Sequence, residues 1–126
     1  MVCKNKDEAD QVASQLLQVN SATLITYRRS EDLLLNRPAG EVVLFILADG
    51  DNAAVLGRIL KWLHYRWPDS PMAVVGDEGN DEMEIVARKG GAYFLTRPVA
   101  QWKWKSLIQY LLKRRNRKTT RAKPAQ

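Results

Sequence analysis

The sequence predicts an α/β fold, a three-layer α/β/α sandwich around a parallel sheet, and three observations predict it. Short apolar runs alternate along the chain with longer segments of helical periodicity. The run from Glu41 to Asp49 (EVVLFILAD) is apolar between its ends, as a fully buried strand must be, and it delivers a carboxylate at its C-terminal end, where open α/β sheets place their chemistry. The length of 126 residues, 45% of them hydrophobic, suits one core and one domain.

Val2-Cys3 is the stub of a first strand. The segment Asp7 to Val19 carries Ala9, Val12, Ala13, Leu16 and Leu17 at helical spacing, with acids in its first turn that suit the helix dipole. Ala22 to Tyr27 (ATLITY) is β-branched and aromatic, hence a second strand. Ser30 caps a short helix from Glu31 to Leu35, and Arg37 to Gly40 ends it before the third strand, Val42 to Ala48. After the Asp49-Gly50-Asp51-Asn52 loop, Ala53 to Trp67 sets Leu56, Ile59, Leu60 and Leu63 on one helical face, and Pro68 to Pro71 stops it. Met72 to Val75 is the fourth strand. A polar loop, Asp77 to Asp81, leads into a helix through Ile85 and Ala87 that the Gly90-Gly91 pair closes. Ala92 to Thr96 is the fifth strand, broken by Arg97-Pro98, and a last helix turns Trp104, Leu107, Ile108 and Leu111 inward.

Strands separated by helices require parallel pairing with right-handed crossovers. Five such units resemble the flavodoxin-like order 2-1-3-4-5, in which the loops after strands one and three flank the switch point and bring Lys4-Asn5 next to Asp49.

The formal net charge of +6 is unevenly placed, because Lys113, Arg114, Arg115, Arg117, Lys118, Arg121 and Lys123 carry seven positive charges with no acid among them. The body, residues 1 to 112, is close to neutral. Residues 113 to 126 therefore read as a basic tail or linker, with sequence-blind phosphate binding as the competing reading. No apolar run approaches the ~18 to 20 residues of a membrane span, and a soluble, cytoplasmic protein without membrane partners is expected. Cys3 reads as a small buried hydrophobe and His64 as part of a solvated helix face, since no second ligand stands at metal spacing. No phosphate loop of Walker or Rossmann spacing occurs, so no enzyme is expected.

One set of residues carries a resemblance. The segment Gly91 to Pro98 (GAYFLTRP) is similar to the part of response-regulator receiver domains in which Gly-Ala precedes strand five and Lys-Pro ends it. Arg97 then sits at the Lys position, Pro98 at the following proline, often preceded by a cis bond, and Phe94 at the switch aromatic. Asp49 falls in the phospho-acceptor register, with Gly57 eight residues later and Pro71 opening strand four. Counting back 44 residues from Asp49 reaches Asn5, where the family carries the second of two acids; sliding the register by three would put Ile46 at the acceptor position instead. On this reading the chain resembles a receiver over residues 1 to 112.

In a working receiver, the resemblance implies, an acidic pair and the acceptor Asp bind Mg²⁺, a hard cation that needs oxygen ligands. Here Lys4 and Asn5 stand at the acidic-pair positions and Gly76 at the Ser/Thr position, with Asp77 and Glu78 after it. Arg97 keeps a positive charge but not the point-charge geometry of Lys. The expectation is a pseudo-receiver of a two-component or phosphorelay system, with no cofactor, working through protein contacts. Two readings stay open for Asp49: a structural carboxylate paired with Lys4 or Arg97 or capping the next helix, or a phospho-acceptor with Mg²⁺ held through Asp51 or Asp77. Phe94 is either a core aromatic or a switch. Trp102, about 200° around the helix from Trp104, points away from the core. It marks the face of helix four, strand five and helix five, the usual receiver surface for a kinase, an effector or a second copy. The third function reading is a nucleic-acid adaptor using the tail.

Overall fold

The computed structural model describes residues 1–3, 6–16, 27, 30–36, 38, 44–48 and 52–110. Its elements are α1 (Lys6–Leu16), α2 (Ser30–Leu35), β1 (Phe45–Leu47), α3 (Ala53–Arg66), β2 (Met72–Gly76), α4 (Asp81–Lys89) and β3 (Tyr93–Thr96), followed by a helix over residues 101–110, α5. The three strands are the third, fourth and fifth of the sequence prediction. They pair in parallel in the order β1-β2-β3, Phe45 beside Met72 and Val74 beside Phe94.

Val2 extends the sheet. It bridges Leu47 on one side and Tyr27 on the other, both in parallel, through Val2 N–H to the Ile46 carbonyl (2.8 Å), Ala48 N–H to the Val2 carbonyl (2.8 Å) and Cys3 N–H to the Tyr27 carbonyl (2.7 Å). The spatial sequence Tyr27, Val2, β1, β2, β3 is the 2-1-3-4-5 order. Met1 closes this edge, its carbonyl accepting from Tyr27 N–H at 2.8 Å, and burial lowers its α-amino group to about 6, with the charge of Cys3 opposing.

Because strand side chains alternate, the sheet builds two cores. Phe45, Leu47, Met72 and Val74 meet Leu33 of α2, Leu56, Ile59, Leu60 and Leu63 of α3, and Met83 and Ala87 of α4. Ile46, Ala48, Ala73 and Val75 face the other way, onto Val12 of α1 and Trp104 and Ile108 of α5. These are the three layers. Trp104 is fully buried while Trp102 is 66% exposed, the split that their angular separation on the helix requires. Leu107 is half-buried, and Leu111 lies outside the described residues with the whole basic tail.

Boundaries follow local chemistry. Asn52 caps α3, its side chain accepting from Val55 N–H at 3.0 Å, and Trp67, predicted as the last helical residue, is instead the C-cap. Asn52→Ala is expected to cost about 1 kcal/mol, read as a lowered thermal midpoint with unchanged helical signal. Asn80 caps α4 in the same way, accepting from Met83 N–H at 3.3 Å. The two closing glycines do different jobs. Gly91 has φ +81°, the left-handed conformation that glycine adopts without strain, whereas a Cβ on Gly90 would stand 2.9 Å from Leu60 Cδ1. Ile85 is exposed, Met83 and Ala87 filling the inward face of α4.

Candidate functional site

The C-terminal ends of β1, β2 and β3 bring Ala48, Gly76-Asp77 and Arg97 together, and the first turn of α1 adds Glu8. Arg97 N–H donates to the Gly76 carbonyl at 2.9 Å, which holds its backbone beside the end of β2. From there the guanidinium makes a bidentate pair with Glu8, Nε to Oε2 at 3.0 Å and Nη2 to Oε1 at 3.1 Å. Nη2 also donates to the Ala48 carbonyl, and Nη1 reaches Asp77 Oδ1 at 3.4 Å. A lysine could not do this. These are four N–H donations at once, one more than an ammonium can make.

The partners are unequal. Arg97 and Glu8 side chains are 25% and 12% exposed, so their pair is poorly screened, whereas Asp77 at 78% exposure contributes little. The buried Cys3 thiol also faces Glu8, Sγ lying 3.8 Å from Oε1. Glu8 had been visible only as an acid favouring the helix N-terminus. Its pairing had no local signal, since Glu8 and Arg97 stand 89 residues apart.

Phe94 and Gly76 form the second half of the site. The half-buried Phe94 ring packs with the α3/α4 core and leans over the end of the neighbouring strand, so that a Cβ at Gly76 would lie 2.8 Å from Cζ and 3.0 Å from Cε1. The ring takes the space a Ser or Thr side chain would start from. Gly76→Thr is expected to cost about 1–3 kcal/mol and to displace the ring. Thermal unfolding in the wild-type and Phe94→Leu backgrounds checks this, the cost shrinking in the second; an equal cost in both would contradict it.

Lys4, Asn5, Asp49 and Asp51 lie outside the described residues. The Arg97–Pro98 peptide is cis. Glu78 and His64 are exposed. Among the described residues, no group of three or more His, Cys, Asp and Glu is placed to hold a metal ion. The two described carboxylates of the crevice, Glu8 and Asp77, face the Arg97 cation, so this donor set does not fit Mg²⁺. On the flank, Trp102, Tyr110 and Ile85 are exposed, Lys103 Nζ lies 5.7 Å from the Trp102 ring centroid, and Tyr110 meets Tyr93 edge-on at 6.1 Å.

No protein-family model matches the sequence, and no curated protein matches it either. Solved structures do. NtrX from Brucella abortus in complex with ADP is similar at a TM-score of 0.74 and 21% identity over 97% of this chain, which spans 27% of that protein's length. The receiver domain of the same NtrX is similar at 0.65 and 20% identity, covering 89% of this chain and 95% of that one. A response regulator from Thermotoga maritima reaches 0.75 at 12% identity, covering 89% and 93%. The chain has the receiver fold of response regulators.

Proposed function

We propose that this receiver-fold chain is a signal-transduction module that has given up phosphoryl chemistry and works through protein contacts. The observation that carries the reading is the standing network at the strand ends: the Arg97 guanidinium is already committed to Glu8, Asp77 and the Ala48 carbonyl. A cation that neutralises an incoming phosphoryl group would have to leave a bidentate carboxylate first. Phe94 over Gly76 supports the same reading, since the ring already fills the place of the hydroxyl-bearing side chain that would follow a phosphoryl group. Both features describe one settled state.

The working surface on this proposal is the flank of α4, β3 and α5, with exposed Trp102 as its anchor for a kinase, an effector or a second copy. A desolvated tryptophan at an interface centre is worth about 2 kcal/mol or more. Trp102→Ala is therefore expected to weaken self-association or partner binding while moving the thermal midpoint little, because the ring is 66% exposed in the free chain. Asp49→Ala is expected to leave the same association intact. Sedimentation of both variants at high concentration, together with partner capture, tests the pair of statements. Association that follows Asp49 and ignores Trp102 would overturn the proposal. In transmembrane terms, no helix among the described residues is long and apolar enough to cross a membrane.

A further inference from the structure

At the opposite end of the sheet from Arg97, a cavity of about 810 Å³ runs between α3 and α4. It is bounded by Pro68 to Pro71 after α3, by Gly90-Gly91 after α4, and by Met72 and Tyr93, which open β2 and β3. Its position at the N-terminal strand ends separates it from the site described above. Along it Gly57 faces Val86, where a Cβ would sit in ordinary contact at 3.5 Å, and Gly90 packs directly on Leu60, where a Cβ would stand 2.9 Å from Cδ1.

The rims are basic. Arg58, Lys61 and His64 stand on α3 at intervals of three residues, about 4.5 Å of rise each, and Lys89 faces them from the last turn of α4; the acid lining the cavity is Asp69. The floor, by contrast, is apolar, with Leu60, Val86 and Met72. Volumes of about 300–1,000 Å³ are typical of small-molecule sites. An apolar floor bordered by several cations matches a ligand with a flat, weakly polar body and more than one negative charge. The charge alone would suit inorganic phosphate, but the floor would then contribute nothing. We propose that the α3–α4 cavity binds an anionic nucleotide of nucleoside diphosphate size, the phosphates on Lys61, Arg58 and Lys89 and the base over the apolar floor.

The test is calorimetric titration of the full chain with ADP at low ionic strength, where exposed charges are least screened. Saturable binding is expected, weakened at least tenfold in Lys61→Glu/Lys89→Glu, whose exposed positions leave the thermal midpoint in place. A tail variant, Arg117→Glu/Lys118→Glu, controls for phosphate binding by residues 113–126 and is expected to bind as the parent does. Pyrophosphate is expected to bind at least tenfold more weakly than ADP. The proposal is overturned by absence of saturable binding, by loss of binding in the tail variant instead of the cavity variant, by pyrophosphate binding as tightly as ADP, or by a hexaglutamate peptide binding more tightly than ADP, which would make the trough a protein-docking surface.

Discussion

Replacing Arg97 by alanine is expected to lower stability by about 2–3 kcal/mol, somewhat under the ~3–5 of a fully buried pair broken on one side. The reason is Glu8. Its side chain is 12% exposed and meets the guanidinium through both oxygens, so the substitution leaves a poorly hydrated carboxylate without its cation. The Ala48 carbonyl loses a donor in the same step. Loss of the contact to Asp77 adds little, because water already solvates that carboxylate. For a domain of this size the thermal midpoint should fall by roughly 10 °C. Glu8→Leu in the Arg97→Met background should recover most of the loss, since removing both charges removes the desolvation penalty. Equal midpoints for Arg97→Ala and the parent would show that the network carries no energy, and with it would go the argument that Arg97 is committed.

Asp49 is expected to take up no phosphate when the chain is incubated with Mg²⁺ and a small phosphodonor. An aspartyl phosphate forms only if the carboxylate approaches a dianion, and without a divalent ion that approach is opposed by like charge in a partly desolvated crevice. If, as the resemblance implies, Lys4 and Asn5 stand where receivers carry an acidic pair, one ammonium supplies a single charge and cannot chelate acceptor and phosphoryl oxygens together. Arg97 does not make up the difference while Glu8 holds it. Intact-mass measurement reads the outcome. The rescue control is Lys4→Asp, Asn5→Asp, Gly76→Thr, to which the structure adds Phe94→Leu, because the threonine Cβ would otherwise collide with the ring. Phosphate on the parent chain, lost in Asp49→Ala, would establish a phospho-accepting receiver with unusual metal ligation.

Most of the described architecture is legible in the sequence, for reasons that are local. Strand and helix differ in period, so Met72 to Val75 and the Leu56, Ile59, Leu60, Leu63 stripe declare themselves within a few residues. The exposure of Trp102 against the burial of Trp104 follows from helix geometry alone. Among the described residues, capping by single hydrogen bonds leaves Trp67 outside α3, and within α4 the exposed Ile85 turns out to solvent.

The sequence by itself determined the α/β class, the strand order and the odd arginine before Pro98. Tertiary structure alone decided what that arginine does. Glu8 and Arg97 stand 89 residues apart, and their bidentate contact depends on the parallel register that sets the ends of β1, β2 and β3 level with the first turn of α1. The same holds for Phe94 and Gly76, which meet across neighbouring strands two register positions apart, and for the α3–α4 cavity, whose lining comes from two helices and the segments that follow them. Periodicity is written in neighbouring residues, but side-chain reach, register and the space left between elements arise only once the layers have packed.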